Sequence, residues 1–316
     1  MHKVQRFLWL VSLLPVLTWA QSQSPGAPAR MIVSLGHFYG QEPPVLKPED
    51  LIVTQKYEPL HVTNVVPLRG DRAGLELFLL VDNCSNCEPG TKFEELRKFI
   101  GSQPSTTSIG VAYIQDGRLV VAQKPTADRA RAVDALSAPT GSKPYNPFVP
   151  LADLINGWNQ DTTRHVVLMI SNGFDPAATR GPQNAAAEAA IEAAQRAGVT
   201  VYAIYHPSAD YVSVNTSETY AGQVQLAHVA FETGGEAYFL GLGPLPSLAP
   251  FLADIAEHLA NQYMLEFLAT PCEAPGALEE VTIKATSHNV DLMAPGRVWV
   301  PGTLAAKTKP PSGKAR

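Results

Sequence analysis

Residues 75–86 read LELFLLVDNCSN. Seven of the first eight positions, Leu75 to Asp82, are apolar or lie between apolar neighbours. Such an unbroken apolar run, ending abruptly in polar residues, is expected of a strand buried on both faces at the centre of a parallel sheet. Two later runs repeat the pattern. His165–Ser171 (HVVLMIS) ends in Asn172-Gly173, and Val199–His206 (VTVYAIYH) ends in Pro207-Ser208.

The segments between these strands carry helical spacing. Phe93, Leu96, Phe99 and Ile100 share one face, as do Leu151, Leu154, Ile155 and Trp158. Asn184–Ala197 is an alanine-rich helix that stops at Gly198, and Tyr220–Thr233 stops at Gly234-Gly235. Leu248, Phe251, Leu252, Ile255 and Leu259 make a further amphipathic helix over Ser247–Gln262. Ser108–Gln115 and Arg118–Gln123 flank Asp116-Gly117, a two-residue hairpin signal. Strand alternating with helix predicts an α/β fold: a doubly wound, mostly parallel sheet flanked by helices, with one antiparallel hairpin. Short strands at Met31–Leu35, Leu51–Thr54 and Leu60–Val66, and others after Tyr263, read as small N-terminal and C-terminal β additions.

Residues 1–20 join Lys3 and Arg6 to an apolar run and then to Thr18-Trp19-Ala20, the order of a secretory signal peptide. The expected division is a signal peptide over 1–20, a flexible leader over 21–30 and a small β segment over 31–68. The α/β domain follows over 69–262, then C-terminal strands over 263–301 and a disordered basic tail over 302–316. Without the first twenty residues the net charge falls from −5 to about −7. No basic stripe runs through the body of the chain, which argues against nucleic acid, whose phosphates need clustered Lys and Arg. Hydrophobic residues at 45% and charged residues at 17% exclude an intrinsically disordered chain. Beyond the signal peptide no segment reads as a membrane span. The expected location is secreted or periplasmic, with a protein partner in the envelope or extracellular space.

Ligands of open α/β sheets bind beyond the carboxyl ends of the strands. Asp82, Asn172, Asp175 and His206 all fall there. In an oxidising compartment the three cysteines, Cys84, Cys87 and Cys272, are disulfide candidates, with the pairing open. Cys84 and Cys87 form a C-x-x-C, which leaves a redox or metal-dependent envelope protein as the alternative function. The G-x-S-x-G, P-loop and H-E-x-x-H motifs are absent, so no enzyme activity is expected.

The ordered segments LELFLLVDNCSN, RHVVLMISNGFDP, AGVTVYAIYHP, FETGGEAYFLG and FLADIAEHLANQYMLEFLA, with a closing RVWVP, resemble a von Willebrand factor type A domain of the secreted bacterial kind, over roughly residues 60–301. The resemblance implies a metal-ion-dependent adhesion site: Asp-x-Ser-x-Ser after the first strand, a Thr from a middle loop, and an Asp after the fourth strand. In that register this chain supplies Asp82, Cys84 and Asn86, with Ser85 one position off. Asn172 stands where the later Asp belongs, and Asp175 follows three residues on; Thr140 and Ser142 are the middle-loop candidates. Only Asp82 is intact. A thiol is a poor ligand for hard cations, and Asn drops a full charge. The site is therefore expected to be degenerate, with no tightly bound cofactor; if Mg²⁺ or Ca²⁺ binds, the ligands are Asp82, Asn86 and Asp175. The function expected is adhesion-type protein binding through a rim of Asp82, Ser85, Asn86, Thr140, Asn172, Asp175 and His206.

Overall fold

A computed structural model describes residues 26–36, 42–83, 90–137, 145–158, 163–176, 184–207, 216–242, 245–273, 275–287 and 289–303. The segment expected as a signal peptide, Cys84, Ser85, Asn86, Cys87, Thr140, Ser142 and most of the segment expected as a basic tail lie outside them. In chain order the elements begin with strands β1 (Ala27–Leu35), β2 (Leu51–Gln55), β3 (Glu58–Pro59), β4 (His61–Pro67) and β5 (Leu75–Asp82). Then come α1 (Gly90–Ser102), β6 (Thr107–Gln115), β7 (Arg118–Thr126), α2 (Arg129–Asp134), α3 (Phe148–Asn156), β8 (Arg164–Ser171), α4 (Ala185–Ala197) and β9 (Val199–Tyr205). The chain continues with α5 (Thr216–Glu232), β10 (Ala237–Tyr238), α6 (Ala249–Ala260), β11 (Gln262–Ala269), β12 (Cys272–Glu273), β13 (Gly276–Ala285), β14 (Leu292–Met293) and β15 (Arg297–Thr303).

The central sheet has six strands in the order β10-β9-β8-β5-β6-β7. All pairs are parallel except β6–β7, the hairpin at one edge. Numbered from β5, its own first strand, the order from the hairpin edge is 3-2-1-4-5-6, that of a doubly wound sheet. Side chains of β5 alternate between two cores, as the pleat requires. Leu75, Leu77, Leu79 and Val81 pack with Phe93, Leu96 and Ile100 of α1 and with Leu252, Ile255 and Leu259 of α6. Phe78 and Leu80 pack on the other face with Leu151 of α3, Ile191 of α4 and Leu226 of α5. Burial on both faces explains why the sequence of β5 shows no polar alternation.

The β additions at the two ends of the chain turn out to be one body. β1 pairs with β11 antiparallel from Ala27↔Ala269 to Ser34↔Gln262, and β4 lies on the other side of β11. β2 pairs with β13. The resulting sheets, β14-β1-β11-β4 and β12-β15-β13-β2-β3, share a core that includes Leu35, Val53, Tyr263, Phe267, Val281 and Val300. The α/β unit is thus inserted between β4 and β11 of a β-sandwich.

Two expectations need correction. The leader expected over 21–30 gives way to strand from Ala27 onward. Ala27, Ala29, Met31 and Val33 are buried while Pro28 and Arg30 face out, so small residues with the look of a linker supply a period-two face. Cys272, a disulfide candidate, is a free thiol. It sits in the sandwich on β12, where its Sγ donates to Glu279 Oε1 at 3.2 Å.

Candidate functional site

The parallel register sets the carboxyl ends of β5, β8 and β9 side by side. Val81 pairs with Ile170, and Ser171 with Tyr205. Ser171, the last residue of β8, organises this end. Its Oγ donates to Asp82 Oδ2 at 2.7 Å and accepts from Gly173 N at 3.1 Å, and its carbonyl accepts from His206 N at 2.9 Å. Asp82 and Ser171 are both buried. The aspartate is therefore fixed in place by a hydroxyl one strand away, and His206 is anchored to the same residue through its backbone.

The loop after β8 is shaped by close backbone approach. Gly173 adopts φ +65°, the left-handed region that favours glycine. Gly222 of α5 faces it so closely that a Cβ there would lie 2.2 Å from Asn172 O. Asn172 Oδ1 accepts from Phe174 N at 2.9 Å, closing a tight side-chain turn. Its buried Nδ2 has no hydrogen-bond partner among the described residues. Asp175 Oδ2 accepts from Asn146 Nδ2 at 2.5 Å. Asn146 Oδ1 accepts from Phe148 N at 2.8 Å and Val149 N at 3.3 Å, so one side chain both opens α3 and holds Asp175. Lys92 Nζ lies 3.3 Å from His206 Nε2. An ammonium can only donate, so in this contact Nε2 accepts.

A hard divalent ion needs several anionic oxygens turned to one point. Among the described residues the rim offers two carboxylates, and each of its acidic and amide side chains already has a hydrogen-bond partner. Asp82 shares an oxygen with Ser171, Asn172 has turned its oxygen to a backbone N–H, and Asp175 is engaged by Asn146. Of the rim residues expected from sequence, Asp82, Asn172 and His206 gather around Ser171, and Asp175 follows on the same loop. Ser85, Asn86 and Thr140 lie outside the described residues. Sequence reasoning missed Ser171, Lys92 and Asn146 as rim components. Ser171 had a signal: it is the terminal hydroxyl of a core strand, level with Asp82 on the adjacent strand.

Comparison by sequence finds no matching family model and no matching curated protein. Among solved structures, the vWF domain of the type V pili tip protein Mfa5 from Porphyromonas gingivalis is similar at 11% identity and TM-score 0.43, over 58% of this chain and 94% of that one. The open conformation of the pilus adhesin SpaC from Lactobacillus rhamnosus GG matches at 9% identity and TM-score 0.45. That match takes in 80% of this chain and 47% of the adhesin, so the chain spans about half the adhesin's length. The ArnB paralog VWA2 from Sulfolobus acidocaldarius matches at 8% identity and TM-score 0.40, over 89% of this chain and 76% of that one. The strand order is that of a doubly wound α/β sheet with one antiparallel edge strand, and the central unit is similar in fold to von Willebrand factor A domains.

Proposed function

We propose that the chain is a secreted or periplasmic protein-binding module of adhesion type, working through the carboxyl-end rim without a tightly bound metal. One observation carries this reading: Ser171 ties Asp82, the Gly173 turn and His206 to the ends of core strands. Loops positioned by a rigid scaffold are where binding residues concentrate, and a pre-ordered rim loses little freedom when a partner docks. The rim mixes the charge of Lys92 with the carboxylates of Asp82 and Asp175, which suits a protein surface better than a polyanion.

The module is not an enzyme in this reading. Ser171, a hydroxyl that could imitate a nucleophile, donates its hydrogen bond to Asp82, while His206 Nε2 faces Lys92. A Ser–His pair needs the imidazole at the serine hydroxyl.

The test is capture from parent envelope and culture-medium fractions, followed by affinity measurement on the captured partner. Lys92→Ala and Asn146→Ala in the rim should weaken binding at least tenfold. Arg196→Ala, on α4, should not, and EDTA should change nothing. Binding indifferent to the rim variants, or abolished by EDTA, overturns the proposal.

A further inference from the structure

Far from the rim, at the junction of the α/β unit with the sandwich, His258 of α6 is 1% exposed. Its Nδ1 lies 3.0 Å from the carbonyl oxygen of Leu35, the last residue of β1. A carbonyl only accepts, so Nδ1 carries a proton there and Nε2 points the other way. Nε2 lies 3.3 Å from Glu236 Oε2 and 3.3 Å from Asp254 Oδ2. The three ligand atoms are all within 4.8 Å of one another. We propose that His258 Nε2, Glu236 and Asp254 form a binding site for a divalent transition-metal ion, Zn²⁺ foremost, distinct from the rim.

Three features suit this cluster to a metal ion. The first is distance. Nε2 stands equally far, 3.3 Å, from the two carboxylate oxygens. Ligands at about 2.0–2.1 Å from a tetrahedral centre lie roughly 3.3–3.4 Å from each other. The second is the outer shell. The Leu35 carbonyl fixes the tautomer that turns Nε2 into a ligand, and Tyr238 donates its hydroxyl to Asp254 Oδ2 at 2.7 Å. Metal-binding imidazoles and carboxylates are held in this way. Glu236 Oε2 is buried, and the contact shown for it is the one with His258 Nε2.

The third feature is access. Glu236 also lines a cleft of about 800 Å³ between the end of α5 and strands β13–β15, together with Glu232, Glu280 and Asp291 against Arg297. An acidic cleft concentrates cations. One imidazole with two carboxylates suits Zn²⁺ or Mn²⁺ better than Ca²⁺, which prefers more oxygens. The ion would join α6, the approach to β10 and, through the Leu35 carbonyl, the sandwich.

The experiment uses the full mature chain without a histidine tag, stripped with EDTA and dialysed, and titrated calorimetrically with ZnCl2, MnCl2 and CaCl2. One Zn²⁺ per chain at micromolar or tighter Kd is expected, with a rise in Tm on loading. Glu236→Gln, Asp254→Asn and His258→Gln should each weaken binding at least tenfold and abolish the Tm rise. Circular dichroism checks that each variant is folded, and half-exposed Glu236 keeps the test open if His258→Gln fails to fold. No saturable Zn²⁺ binding by the wild type overturns the proposal, leaving a proton as all the three side chains share. So does binding that survives Glu236→Gln but is lost in His228→Gln, which would place the ion at the exposed His228–Glu188 pair.

Discussion

Arg164, the first residue of β8, donates from Nη1 to Oε1 of Gln262, the first residue of β11, at 2.7 Å. The same guanidinium donates to Leu259 O at 2.8 Å and Ala73 O at 3.1 Å, and burial lowers its pKa to about 10. Gln262 Nε2 passes the connection on to Ser34 Oγ of β1 at 2.9 Å. One buried fork therefore locks the start of a central strand to the sandwich. Arg164→Met should cost roughly 1.5–3 kcal/mol, the usual worth of hydrogen bonds to a charged group. Arg164→Lys should not restore it, because one ammonium cannot span the three acceptors. Urea unfolding should show a lower midpoint at unchanged m.

Ser171→Ala removes the hydroxyl that serves Asp82. A buried carboxylate that loses a donor costs about 1–3 kcal/mol. The midpoint of thermal unfolding should fall, and rim binding should weaken with it, since the Gly173 turn loses its acceptor at the same time. An unchanged melt would show that Asp82 finds another donor at no cost.

Two glycine substitutions should act in opposite directions. Gly222→Ala sets a methyl 2.2 Å from Asn172 O, backbone against side chain with nothing flexible to yield. The loop carrying Asn172 and Asp175 must shift, so binding should drop more than stability does. Gly101 on α1 has nothing within 4 Å of an added Cβ. Gly101→Ala should stabilise by about 0.5 kcal/mol through lower unfolded-chain entropy. Paired denaturant melts and binding isotherms separate the two.

The Cys272 thiol should be sluggish. Burial pushes its pKa up first, and its hydrogen bond to Glu279 and that residue's charge push it further. Lys56 Nζ, 2.9 Å from Glu279, holds the carboxyl below its ordinary range and so charged at neutral pH. Alkylation at pH 7.5 should be slower than for a free cysteine peptide, because the thiolate is the nucleophile. Glu279→Gln removes the opposing charge and should speed the reaction. The sign for stability runs the other way from a base: Glu279 has a lowered folded pKa, so its contribution is present above the unfolded carboxylate pKa and is lost as pH falls through the folded value. Wild type should lose more stability than Glu279→Gln as the solution is acidified through that range.

Much of the central unit was legible because its signals are local. β5, β8 and β9 are dominated by apolar residues, and Gly198, at φ +67°, ends α4 where the sequence placed the stop. The sandwich was not legible as one body, since Ala27 and Ala269 meet from opposite ends of the chain and no local pattern encodes such a pairing. The rim divides in the same way. Asp82, Asn172 and His206 stand at strand ends, where position alone marks them. Lys92 arrives from a helix and Asn146 from the approach to another, so only tertiary packing brings them in. The His258 cluster was missed because Glu236 precedes β10 while Asp254 and His258 lie on α6, and the carbonyl that orients the imidazole belongs to β1.

The insertion between β4 and β11 has a mechanical consequence. The two covalent links of the α/β unit leave it side by side, tied by Leu68 N to Gln262 O at 2.9 Å. A tensile load on the unit would draw β4 and β11 in the same direction, so neither slides along the other. Resistance would come instead from shearing β11 against β1, an antiparallel ladder running from Ala27↔Ala269 to Ser34↔Gln262. A cut in one link alone would leave the unit tethered by the other.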